Sequence, residues 1–291
     1  MTGELSASTV AVLRAWGMPE DFTERYWRRA PVAGRAAQVV PGRPTAADIQ
    51  ALSGQALSAD RVAVSTGGRL HHPSEYTHEL VLAGRTVSGV VDPARLTALV
   101  DAGATTVLAN LEHWMPQVTE LAATLAADFG CEVQAHVFRT AAGHAGLTPH
   151  IDGEDNFLLQ IDGAKAWSLW RTDSQQPVHL NPDTLGPPTV TVTLTAGDTL
   201  YIPVGWAHAA VATDGGSTHI TYQVVPVPVL DAVLDQLAAA LEPVLADALL
   251  PAPGGSPLPD GVVAGLVDAI SAGLRGQAGA DHDSRPDGPY R

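Results

Sequence analysis

The sequence predicts a mainly β protein with helices on either side of the β segment. Three observations carry this reading. Apolar spacing is mostly helical over residues 8–128, seven short β-type runs follow Gly130 within about ninety residues, and helical spacing returns from Val229. With 291 residues the chain can bury a substantial core, as one sizeable domain with an appendage or as two small domains.

The N-terminal part is interrupted at Pro31, Pro41, Pro44 and Gly67-Gly68, and its clearest helix runs from Pro116 to Asp128. Pro116 suits a first helical turn, Val118, Leu121, Leu125 and Phe129 form one apolar face, and Gly130 supplies the stop. The β-type runs are Val133 to Thr140, Asn156 to Ile161, Ala166 to Trp170, Thr189 to Thr195, Thr199 to Ile202, His208 to Ala212 and Ser217 to Val225. Such a series predicts an antiparallel sandwich or barrel, of which the double-sheet jelly roll is one form. Beyond it, Leu230, Val233, Leu234, Leu237 and Leu241 share a helical face, and a break at Pro251 to Pro259 precedes a second helix at Val262 to Leu274. The polar, Gly-rich tail is expected to be disordered. The organisation expected is therefore a helical surround over 1–130, a β core over 131–228, a helical region over 229–275 and a disordered tail over 276–291.

Composition narrows the function. Sixteen basic residues against thirty-one acidic ones give a net charge of −15, which disfavours a nucleic-acid binder. No apolar run reaches the ~20 residues of a membrane span. The first residues lack a signal-peptide layout and Cys131 is the only cysteine, so a cytoplasmic location is expected. Neither a Gly-x-Gly-x-x-Gly nor a Walker-type loop occurs. Fifteen of the basic residues are arginine, and Lys165 is the sole lysine.

One constellation carries chemistry. His150 and Asp152 stand two residues apart, so an extended backbone sends both side chains to one face, where they can grip a single metal ion. A second histidine, His208, ends the run Gly197-Asp198-Thr199-Leu200-Tyr201-Ile202-Pro203-Val204-Gly205-Trp206-Ala207-His208, which reads as a turn, a strand and a sharp corner. Two histidines and a carboxylate on one side of a metal leave other positions open, as in non-haem Fe(II) oxygenases. His71, His72, His78, His113, His136, His144, His179 and His282 show no such arrangement; the adjacent pair His71-His72 would point to opposite faces of a strand.

The stretch from His150 to Trp170, with Asn156-Phe157-Leu158-Leu159-Gln160 and Gly163-Ala164-Lys165-Ala166-Trp167, together with the Gly197 to His208 run, resembles the JmjC-type, cupin-like 2-oxoglutarate oxygenases. The likeness is to their branch of ribosomal oxygenases and asparaginyl hydroxylases. Weaker similarity at Phe22 to Arg29 and at Asn110-Leu111-Glu112-His113-Trp114 extends it over roughly residues 20 to 225. The resemblance implies a double-stranded β-helix (jelly-roll) core and makes His150, Asp152 and His208 the Fe(II) ligands and catalytic centre. It assigns Lys165, fifteen residues after His150, to the distal carboxylate of 2-oxoglutarate, a role that suits a compact three-donor cation. Asn156, Thr148 and Thr221 are its further cosubstrate candidates, and His219, sharing strand parity with Thr221 and Gln223, is expected to face the pocket without being a ligand.

The function implied is an Fe(II)- and 2-oxoglutarate-dependent oxygenase that uses O₂ to hydroxylate a protein or peptide side chain, with a basic partner compatible with the acidic chain. Ribosomal oxygenases carry a longer C-terminal region with a winged-helix module, whereas about sixty residues follow the last strand here, which weighs against a ribosomal substrate. The alternatives are a tailoring hydroxylase or demethylase of a small metabolite, a metal-dependent cupin that does not use 2-oxoglutarate, and a non-catalytic metal-stabilised binding module. The apolar face that starts at Leu230 continues through Val244, Leu245, Ala248 and Leu249, and a self-complementary stripe of that length predicts a homodimer.

Overall fold

Two long strands dominate the computed structural model, which describes residues 5–227 apart from 39, 41 and 54–56. The chain divides into two units, 1–226 and 227–291. The expected C-terminal helices, their dimer-forming face and the tail lie outside the described residues.

The helices are α1 (Ala7–Ala15), α2 (Phe22–Arg25), α3 (Ala46–Ser53), α4 (Pro93–Asp101) and α5 (Pro116–Phe129). The strands begin with β1 (Val32–Arg35), β2 (Val62–Thr66), β3 (Arg69–Leu70), β4 (Thr77–Leu82), β5 (Arg85–Val91) and β6 (Thr105–Leu108). They continue with β7 (Val133–Thr140), β8 (His150–Ile151), β9 (Asp155–Arg171), β10 (Val178–His179), β11 (Val190–Thr195), β12 (Asp198–Ile202) and β13 (Trp206–Val224). The result is a mainly β, curled antiparallel sheet with helices. None of the described helices is long and apolar enough to cross a membrane.

The segment expected to be a helical surround is corrected by the structure, since among the described residues before Gly130 six strands accompany the helices. All six are short, and two of them are buried on both faces: β2 and β6 have inward residues in succession, Val64-Ser65 and Thr105-Thr106, so alternation fails there. The runs expected at Asn156 to Ile161 and Ala166 to Trp170 are one strand, β9, and those at His208 to Ala212 and Ser217 to Val225 are likewise one strand, β13.

β9 and β13 pair from Asp155↔Val224 to Arg171↔Trp206. β9 uses its other edge for β12 at its start and β11 at its end, and β1 pairs with the outer edge of β12. β13 uses its other edge for β7, whose neighbours continue outward as β6, β2 and β3. Both long strands bend where the register shifts between Ala212 and Ser217. Gly163 makes that bend: at φ +63 a Cβ there would lie 2.1 Å from the Gly216 carbonyl oxygen.

The main core joins the helices to this sheet. α5 buries Val118, Leu121, Ala122 and Leu125. Phe157 of β9 receives two N-terminal aromatics, with ring centroids 5.2 Å from Trp16 and 5.7 Å from Phe22, and lies 4.9 Å from Tyr201 of β12. A second, smaller cluster lies between the sheet halves and contains Leu158, Trp167, Leu169, Leu194, Leu200 and Ile202.

A polar lock seals the first core. Asp155, wholly buried, accepts from Arg28 Nε at 2.9 Å, from the Tyr201 hydroxyl at 2.7 Å and from the Val204 amide at 3.3 Å. The Tyr201 oxygen in turn accepts the Arg28 main-chain N–H at 2.9 Å. Arg28→Ala strands that carboxylate without its cation, so unfolding in urea at pH 7 should show a loss of about 1–3 kcal/mol, less than that for Arg28→Lys. An unchanged midpoint in Arg28→Ala would show that the ion pair contributes nothing.

Candidate metal centre

The sheet places His150, Asp152 and His208 side by side. β8 pairs with β13 so that His150 lies directly opposite His208, their ring centroids 4.3 Å apart. The corner before β13 makes this possible: Trp206 donates its N–H to the Pro203 carbonyl, closing a turn, and His208 follows two residues later. Asp152 sits just beyond β8, and one ligand atom from each of the three residues falls within 4.8 Å of the others.

The imidazoles are oriented for a cation. His150 Nδ1–H donates to the Thr148 carbonyl at 2.7 Å and His208 Nδ1–H to the Trp206 carbonyl at 3.2 Å. Each ring therefore presents its Nε2 to Asp152, at 3.5 Å from His150 and 3.4 Å from His208. Burial, reinforced by His208, draws the pKa of His150 down, so the facing nitrogen carries a lone pair. A lone pair set against a carboxylate is stabilised by a metal ion shared between them. The two nitrogens and one carboxylate suit a divalent transition ion such as Fe(II).

A cavity of about 290 Å³ opens from these residues towards Lys165. The ammonium is 3% exposed, donates to the Thr140 hydroxyl at 3.2 Å and lies 5.4 Å from the centroid of the Trp167 ring. Thr140 is itself hydrogen-bonded to Thr105 at 3.0 Å. A Cβ on Gly146 would come within 3.2 Å of Nζ, so glycine leaves the lysine its space. Burial pushes the Lys165 pKa down to about 7. His219 also lines the cavity, stacked on Phe138 at 5.0 Å, and burial pulls its pKa well below the usual histidine value. Among the described residues neither His219 Nδ1 nor Trp167 Nε1 has a hydrogen-bond partner.

Of the residues singled out in the sequence, His150, Asp152, His208, Lys165, Asn156, Thr221 and His219 all line this cavity. Asn156 donates to Asp152 Oδ2 at 2.9 Å. Thr148 stands beside the cavity, its carbonyl committed to His150 and its hydroxyl 3.2 Å from His179 Nδ1. Sequence reasoning passed over His179, which β10 sets opposite His150 with the rings 5.8 Å apart, and also Gln223, 3.1 Å from Asn156. Strand parity with His219 and Thr221 places Gln223 on the pocket-facing side of the strand without giving it a role.

Residues 110–230 match the family model of the JmjC domain. The chain is 38% identical over 122 residues to the bifunctional lysine-specific demethylase and histidyl-hydroxylase NO66 of Dictyostelium discoideum, a match covering 39% of this chain and 24% of that protein. It is 29% identical over 215 residues to ribosomal oxygenase 1 of Gallus gallus, covering 70% of this chain and 34% of the relative. The chain thus spans about a quarter to a third of the length of these curated relatives. The ribosomal oxygenase YcfD from Escherichia coli, solved with cobalt and 2-oxoglutarate, shares the fold at a TM-score of 0.53 and 14% identity, over 87% of this chain and 66% of that one.

Asp152→Ala removes the anionic member of the triad while leaving both β8 and β13 in place. Calorimetric titration with Co(II) should show high-affinity binding lost, with an unchanged far-ultraviolet circular dichroism spectrum. Retained binding would locate the ion elsewhere.

Proposed function

We propose that this chain, a JmjC-domain protein related to the ribosomal oxygenases, is an Fe(II)- and 2-oxoglutarate-dependent hydroxylase of a protein or peptide side chain. Its curled sheet is read as the family's double-stranded β-helix. One observation carries the proposal: two tautomer-fixed histidines and a carboxylate share a cavity with a buried lysine that has no acidic partner among the described residues.

His150, Asp152 and His208 would hold the iron. When bound, the iron supplies O₂ activation coupled to oxidative decarboxylation of 2-oxoglutarate: one oxygen atom goes to a substrate C–H to give C–OH, the other to succinate, and CO₂ leaves. Lys165 would bind the distal carboxylate of 2-oxoglutarate through Nζ, with the Thr140 hydroxyl orienting the ammonium. The neutral His219 and the Trp167 ring wall the same end, excluding water and strengthening that charge pair. Thr221 offers a hydroxyl from the cavity wall, and the exposed His179, which also lines the cavity, would face the incoming substrate. A protein substrate is supported by the activities of the relatives, histidyl hydroxylation among them. The net charge of −15 favours a basic segment.

Incubating the protein with Fe(II), ascorbate, O₂ and 2-oxoglutarate should yield succinate, and 2-oxoglutarate should bind the metal-loaded protein. Absence of both would overturn the reading in favour of a cupin or binding module that takes no 2-oxoglutarate. Lys165→Ala should weaken 2-oxoglutarate binding by about 2–5 kcal/mol, roughly thirtyfold to several thousandfold, since it strips a carboxylate of its buried partner. The pH dependence has a definite sign. With the lysine pKa near 7, the free protein loses the needed ammonium as pH rises, so affinity should fall towards about tenfold per unit above pH 7. Calorimetry at pH 8 in two buffers of different ionisation heat should accordingly register uptake of a proton. A flat profile would exclude Lys165 as the anion's partner.

A further inference from the structure

The carboxylate of the metal centre is the end of a one-way chain of hydrogen bonds that begins on a main-chain amide. Asn110, just past β6 and held at φ 57, ψ 47, gives its N–H to His136 Nδ1 at 3.2 Å. A main-chain amide can only donate, so Nδ1 is bare and the ring proton sits on Nε2. The Gln223 side chain raises the pKa of His136 against its burial, as an acceptor oxygen beside the ring proton does. The Gln223 amide nitrogen is left to donate to Asn156 Oδ1 at 3.1 Å, and Asn156 Nδ2 donates to Asp152 Oδ2 at 2.9 Å.

Three neighbouring strands hold these links in line. His136 on β7 faces Thr221 of β13, two residues from Gln223, and Gln223 faces Asn156 of β9. Because the first donor cannot reverse, no amide downstream can flip without losing two hydrogen bonds.

We propose that His136 and Gln223 are positioning residues for the metal carboxylate. A carboxylate can turn about its Cβ–Cγ bond and chelate an ion through both oxygens. Here the Asn156 amide holds Oδ2, which lies 3.4 Å from His208 Nε2 while Oδ1 lies 3.5 Å from His150 Nε2, so the carboxylate plane is kept from turning and Asp152 would meet an ion in one fixed orientation. The proposal rests on the reading of the triad as a metal centre.

The test is made on the full chain loaded with Co(II), without cosubstrate, by calorimetry and visible absorption, with Asp152→Ala as control. If the parent does not bind Co(II), or Asp152→Ala binds it equally, the metal-centre reading itself fails. With that reading secured, Gln223→Leu should weaken Co(II) binding by about tenfold to a hundredfold and alter the ligand-field bands. His136→Leu should act in the same direction, whereas His136→Gln, which keeps an N–H donor where Nε2 lies, should return affinity to within about threefold of the parent and restore the bands. A merely structural role would lower the apo melting temperature and leave the bands unmoved. Gln223→Leu with parental affinity and spectrum overturns the proposal. Should that variant fail to fold, equal affinities of His136→Leu and His136→Gln overturn it instead.

Discussion

The antiparallel ladder between β9 and β13 sets the distance between the two halves of the site. Its first rungs pair Asn156 with Gln223, and its later ones pair Lys165 with Ala212 and Leu169 with His208. Residues distant in sequence therefore face one cavity because two strands keep register past a shared bend. β8 is only two residues long, yet it reaches His208 by pairing with the same strand. A slip of one residue would turn every inward side chain of β13 outward, so the register is also what specifies the chemistry.

Around that ladder, burial and hydrogen bonding divide the work of preparing the site. Main-chain carbonyls fix both ligand imidazoles, which costs the protein no extra charged group inside. Lys165, buried in the cavity, has the Thr140 hydroxyl and no carboxylate as a partner among the described residues, an arrangement unfavourable for a charged ammonium. Near the N-terminal side the opposite holds: Asp155 is fully partnered and serves to bind the first aromatic core to the sheet. The two buried charges thus differ in whether the protein itself completes them.

Much of the β region could be read from residues 133–225, where turn residues bound each run; β7 occupies the same span as its predicted counterpart. The pairing of His150 with Asp152 was legible because local backbone geometry decides which face a side chain takes, whereas Lys165 was singled out by the family resemblance and by being the sole lysine. The relay through His136 and Gln223 was not, since it depends on which strands become neighbours and on a register no local pattern encodes. The N-terminal strands escaped for another reason. They are two to seven residues long, too short for their period to be told from that of a helix.

The isolation of Lys165 has a practical side. No other side chain in this sequence carries a primary amine, and this one is near neutrality at physiological pH, the form that attacks electrophiles. An amine-directed reagent small enough to enter the cavity would find a single side-chain target there. The extent of its reaction would report how often the cavity admits a visitor, turning the composition of the chain into a built-in gauge of access.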